Sequence, residues 1–190
     1  MSLITIPSPV GMDLYIQALQ TKLHDELVVK WALLDTTKYH AYGRCYRNKK
    51  DAGYVAEVFK DNKEYDDVYW NDKVFAVSFF GISGPIKRSV KSEVQIHFVM
   101  FANLSELSLR NTNGETITHR GDEELRQQVT GIIGRFSNGF RLDSTEFGIE
   151  NVLREYPGSY RDKGLKNVDM HPVHCFRLNL NLIYDHNKIC

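Results

Sequence analysis

The side chains closest to a chemical arrangement lie near the C-terminus: Asp169, His171, His174 and Cys175, set around Pro172 and Val173. His171, His174 and Cys175 are metal donors within one short run, but tetrahedral zinc needs a further donor at usable spacing. His186 and Cys190 are the remaining candidates nearby. Such residues at a strand entrance are more simply satisfied by backbone or water, so no metal is expected. A Cys175–His174 nucleophilic pair fails on geometry, because neighbours on a strand point to opposite faces. The acidic residues Asp61, Glu64, Asp66, Asp67 and Asp72 lack the alternating ligands and glycine of a calcium loop. No phosphate loop, dinucleotide fingerprint, nucleophile elbow or zinc helix occurs. No catalytic residue or cofactor is therefore expected. An enzyme whose site gathers dispersed residues would leave no motif, and its sign would be a deep pocket of ionisable groups with displaced pKa values.

Arg44, Arg47, Lys49 and Lys50, interleaved with tyrosines, are of the types that stack on and pair with a single nucleic-acid strand. Lys87, Arg88 and Lys91 would extend that basic patch. The whole chain opposes this, with 24 basic and 24 acidic side chains and no net charge. A general nucleic-acid binder needs an excess of basic groups to displace counterions. A nucleic-acid-binding accessory protein is the alternative, and a solvated loop the simpler account of the segment.

The 190 residues suit one domain, and 42% hydrophobic against 25% charged residues is a globular balance. Cys45, Cys175 and Cys190 are odd in number and widely spaced, which fits reduced thiols rather than a disulfide framework. The first residues have no basic region followed by a long apolar run, so no signal peptide is expected. No apolar run approaches the ~20 residues that cross a bilayer, and no membrane partner is expected.

Several elements must position whatever site exists. Residues 1–11, with Pro7 and Pro9, read as an extended N-terminal arm. Leu3, Ile4 and Ile6 are its candidates for contact with a neighbouring subunit. Residues 12–190 read as a single domain. Met12, Ile16, Leu19, Leu23 and Leu27 predict a helix over 12–28, with Gln17, Gln20, Lys22 and Asp25 on its other side. Short strands are expected at 54–59 and 74–82. The strongest strand is predicted over 89–101, with Val94, Ile96, Phe98 and Met100 on one face and Glu93, Gln95 and His97 on the other. Unbroken, it would span about 40 Å at about 3.3 Å per residue, so it should bend or project, offering Val90 and Val94 as further subunit contacts. A second helix is predicted over 122–136 from Leu125, Val129, Ile132, Ile133 and Phe136. Asp143-Ser144-Thr145-Glu146 has the spacing of a capping box and predicts a third helix to about Arg154. Near the end, Phe176, Leu178, Leu180, Leu182 and Tyr184 alternate with Cys175, Arg177, Asn179 and Asn181. That predicts a strand with one dry and one wet side. The fold class expected is α+β: a mainly antiparallel sheet with two or three helices on one face.

Two segments carry a family resemblance: Gly148-Ile149-Glu150-Asn151-Val152-Leu153-Arg154-Glu155-Tyr156, and Asp169 through Leu180. A weaker echo lies at Val77-Ser78-Phe79-Phe80-Gly81. From Gly148 onward the chain resembles small proteins encoded in the structural clusters of Bacteroidetes phages and prophages. The resemblance implies a virion component of the tail or neck, of the tail-terminator or tail-completion class, assembled in the host bacterial cytoplasm. Those proteins are small α/β domains that form rings, often hexameric. The implied partners are therefore further copies of this chain and other tail or neck proteins, with DNA only as contents of a channel. The class offers no catalytic residues to carry over.

Overall fold

The computed structural model describes residues 3–59, 65–68, 70, 73–110, 114–117, 121–136, 138–161 and 170–185. Its elements run β1 (Leu3–Ile4), α1 (Met12–Lys30), β2 (Tyr39–Arg44), β3 (Tyr46–Lys50), β4 (Gly53–Phe59), β5 (Tyr65–Asp67), β6 (Ala76–Ile82) and β7 (Lys87–Arg88). There follow β8 (Ser92–Asn103), α2 (Asp122–Arg135), β9 (Phe140–Phe147), α3 (Ile149–Val152), α4 (Pro157–Arg161) and β10 (Val173–Tyr184). The class is α+β. A seven-stranded sheet has the order β1-β2-β6-β8-β10-β9 with β7 beside β8, and β3-β4-β5 form a smaller sheet. The large sheet is mixed: β1–β2 and β2–β6 run parallel, and the other pairs antiparallel.

The long strand neither bends nor projects. β8 and β10 are each 12 residues long and pair without interruption from Ser92↔Tyr184 to Asn103↔Val173. Their length is absorbed by each other. One face of this ladder presents Ile96, Phe98, Met100, Phe176, Leu178 and Leu180, and α1 and α2 cover it with Ile16, Leu19, Leu23, Leu27, Leu125, Val129 and Ile132. Val94 belongs to this core at 1% exposure, so it has no surface to offer a neighbour. Gln20, expected on the wet side of α1, is also buried: it falls one turn from both Ile16 and Leu23, facing the sheet edge. Its Nε2 donates to the Ile4 and Ala41 carbonyls at 2.7 and 2.8 Å. Those bonds join β1 to β2, and the Ile6 N–H donates to Gln17 Oε1 at 2.9 Å. The N-terminal segment expected to be an arm is thus a strand of its own sheet, with Leu3 and Ile4 packed against the cores on either side.

The face expected to be wet is dry over half its length. Val77, Phe79, Val99, Phe101 and Cys175 form a second core with Cys45, Ala56 and Val58 from the smaller sheet and with Val152, Leu153 and Tyr156. The α3–α4 segment therefore lies opposite α1 and α2, not beside them. It is tied to β4 by the Ala56 N–H, which donates to Ser159 Oγ at 3.1 Å. Gly158 meets the Gly53 and Tyr54 backbone so closely that no Cβ would fit between them. The capping-box spacing at Asp143 falls inside β9 instead. There Ser144 and Glu146 bond Asn179 across the ladder rather than capping a helix end. Among the described residues no helix is long and apolar enough to cross a membrane.

Phe98 has no exposed surface and packs on Phe80 at a ring separation of 5.1 Å. Phe98→Ala should lower the unfolding free energy by about 3–5 kcal/mol. Val90, 90% exposed, should tolerate Val90→Ala within about 0.5 kcal/mol. Urea denaturation of the two variants reads the contrast.

Candidate functional site

The second face changes character along its length. At one end β8 contributes Val99 and Phe101 to the second core; at the other it carries His97, Gln95 and Glu93. β10 follows suit, with Cys175 in the core and then Arg177, Asn179 and Asn181. The smaller sheet and α3–α4 cover the apolar end only, which leaves an open polar trough.

Under the trough's floor Arg177 is fully buried. Its guanidinium forms two hydrogen bonds with the Glu155 carboxylate, one at 2.8 Å from Nη2 to Oε1. Nη2 also donates to Ser83 Oγ at 2.9 Å, and Nε to Asn179 Oδ1 at 2.8 Å. Ser83 Oγ lies 2.8 Å from His97 Nδ1, and His97 Nε2 lies 3.2 Å from the Tyr156 hydroxyl. One proton arrangement satisfies the line: Arg177 donates to Ser83, Ser83 to His97 Nδ1, and His97 Nε2–H to Tyr156. Gly81, paired with His97 across the ladder, makes room for it; a Cβ there would collide with the imidazole and the Tyr156 hydroxyl.

Electrostatics follow the burial. Desolvation, reinforced by the Arg177 charge, pushes His97 from 6.5 down to about 3, so the imidazole is neutral. Burial alone would raise Glu155, but the hydrogen bonds and charge of Arg177 outweigh it and hold the carboxyl at about 2. Burial pushes the Tyr156 phenol well up. Beneath the floor His97 bonds Tyr156 and Glu155 bonds Arg177, and none of these three displaced groups lines the cavity above.

That cavity, about 280 Å³, is lined by Ser83, Gln95, Asp143, Ser144, Glu146, Arg154, Asn179 and Asn181 among others. A neighbouring one of about 270 Å³ continues it past Gln95 and Asn181 to Glu93 and Lys87. Its donors are largely spent internally. Arg154 Nη1 holds Glu146 at 2.8–2.9 Å, and Asn179 Nδ2 donates to Ser144 and Glu146 at 3.0 and 2.7 Å. Asn181 Nδ2 donates to Glu93 Oε1 at 2.6 Å, which fixes the amide's orientation and leaves Asn181 Oδ1 buried with no donor among the described residues.

The residues of the sequence-level basic patch divide between the two sheets, and two of them are paired with carboxylates. Arg44 is bidentate on Asp13 at 2.6 and 2.7 Å, and Lys50 lies between Asp67 and Glu57 at 2.5 and 3.2 Å. Arg47 stacks on Tyr54 at 4.0 Å, with Lys49 exposed beside it on β3. Lys87, Arg88 and Lys91 stand exposed on a hairpin of the other sheet, around Val90. Of the metal candidates, Asp169, His186 and Cys190 lie outside the described residues. His174 and Cys175 are adjacent on β10 and Cys175 is buried. Among the described residues no three His, Cys, Asp or Glu side chains converge as a metal cage would require. Sequence reasoning missed the Arg177 network, whose signal was an Arg and two Asn on the polar side of a strand next to apolar positions.

Stability should fall with acid in two steps. The unfolded chain takes up a proton on His97 below about 6.5 and the folded chain only near 3, so stability drops as pH falls through that interval. Glu155 adds to the loss between 4.5 and about 2, because its depressed folded value stabilises only while it is ionised. His97→Gln should remove the loss above pH 4.5 and keep the lower limb. Urea midpoints from pH 7 to 3.5 measure this, and a wild-type profile flat down to pH 5 would contradict it.

No protein-family model, curated protein or solved structure matches this chain.

Proposed function

We propose that this protein is a structural subunit that assembles side by side with copies of itself, as a ring of the tail-terminator or tail-completion kind in a phage tail or neck. The observation that carries the assembly part is the outer edge of β9. Edges of sheets template further strands unless they are short, charged, proline-bearing or covered. β1 is short and followed by Pro7 and Pro9, β3 carries Arg47, Lys49 and Lys50, and β5 is short and acidic. β9 extends over eight residues without proline, and its charges are of mixed sign, Arg141 against Asp143 and Glu146, rather than the single-sign run of β3. It pairs on one side only, with β10, among the described residues. It also exposes Leu142 and Phe147 at 41% and 43%.

A bulge near Asp143 interrupts β9, leaving regularly paired runs over 140–142 and 144–147 on either side of it. The absence of net charge removes long-range repulsion between copies. His97, Glu155 and Tyr156 are consumed by internal hydrogen bonds below the trough, and the Arg154 that lines it is paired with Glu146, which favours a structural role over catalysis. The phage assignment rests on the resemblance of residues 148–180.

Light scattering over a concentration series should give a discrete oligomer, with a hexamer favoured. Leu142→Lys should shift it to monomer while the melting temperature stays within a few degrees, because the site is exposed. A wild type that is monomeric at every concentration, and that does not bind tail-tube subunits, would overturn the proposal.

A further inference from the structure

At the β1 edge the Gln20 amide is satisfied at one end only. The residue is 2% exposed, and its Nε2 spends both hydrogens on the Ile4 and Ala41 carbonyls. Two carbonyl acceptors fix which end of the amide is nitrogen. The other end, Oε1, is a buried acceptor with no donor among the described residues. Gly43, on β2, marks where it points: a Cβ at that position would stand 3.1 Å from Oε1. Gln20 and Gly43 line a slot of about 20 Å³ together with Asp13, Gln17 and Arg44.

We infer that this slot binds one water molecule as a fixed part of the fold, donating to Gln20 Oε1 and completing the joint that holds the N-terminal segment on α1 and β2. The size suits one water, because a cavity needs about 10–15 Å³ to hold it and the slot has about 20 Å³. The surrounding chemistry asks for donors. Gln17 Oε1 accepts one hydrogen bond, from the Ile6 N–H, and each Asp13 oxygen accepts one from Arg44. Each of these oxygens keeps a lone pair. Water brings two hydrogens, one for Oε1 and one for such a neighbour. A cation of similar size finds no free charge, since Arg44 already neutralises Asp13, and beside Ile4, Ile6 and Ile16 its desolvation would go unmatched. The slot lies at the opposite edge of the large sheet from β9, so it stands apart from the assembly reading.

Gly43 offers the test, because its backbone is outside the left-handed region and admits a side chain without dihedral strain. In the full-length protein, Gly43→Ala sets a carbon against Oε1, displacing the water and supplying no donor. Gly43→Ser sets the same carbon there and adds a hydroxyl that donates. Hydrogen exchange of the Ile6 amide, bonded to Gln17, reads opening of the joint. It should quicken at least about tenfold in Gly43→Ala, as for a buried acceptor left unmet, and return to within about threefold of wild type in Gly43→Ser. Equal rates in the two variants would overturn the inference, since the shared carbon and not the donor would then decide them. A crystal structure of the wild type, which needs neither variant to fold, should show a water within hydrogen-bonding distance of Oε1. A slot without one, or one whose occupant is replaced by added ammonium, would also overturn it.

Discussion

A guanidinium with no exposed surface must be neutralised and hydrogen-bonded where it stands, and Arg177 sets that condition for everything on the second face. Removing either partner of such a buried pair typically costs about 3–5 kcal/mol, because the survivor is left charged without water. Glu155 supplies the counter-charge, and it sits on the turn between α3 and α4. Satisfying Arg177 therefore places that turn, and with it Leu153 and Tyr156, against β6, β8 and β10. α4 in turn holds β4 through Ser159. The smaller sheet is thus anchored to the large one through a chain of contacts that begins at one side chain.

The same condition divides the second face. Polar side chains farther along β8 and β10 would be stranded under the smaller sheet, so the cover ends just past the buried His97 and Arg177, toward the level of Gln95 and Asn181. His97 marks the boundary: its ring is buried and neutral, bonded on both nitrogens, with glycine opposite to admit it. A larger apolar lid would strip solvent from the carboxylates of Glu93, Asp143 and Glu146, at a desolvation cost that their few internal hydrogen bonds only partly offset. The trough remains open because of what it is made of.

Local periodicity carried the elements well where one face was uniformly apolar. Leu19, Leu23 and Leu27 revealed α1, Val94 through Met100 revealed β8, and Phe176 through Tyr184 revealed β10. Legibility failed where position and composition disagreed. Gln20 is polar yet sits on the buried stripe, because two carbonyls at a sheet edge need its amide. Asp143 to Glu146 mimics a helix start, but the long β10 beside it has backbone groups to pair, and tertiary pairing outweighs a local cap. β2 and β3 are obscured because their tyrosines and basic residues do not alternate cleanly. The site was half visible: Arg177, Asn179 and Asn181 read correctly as the side facing away from α1 and α2. Nothing local foretold that Glu155, on a separate segment, would bury the first of them.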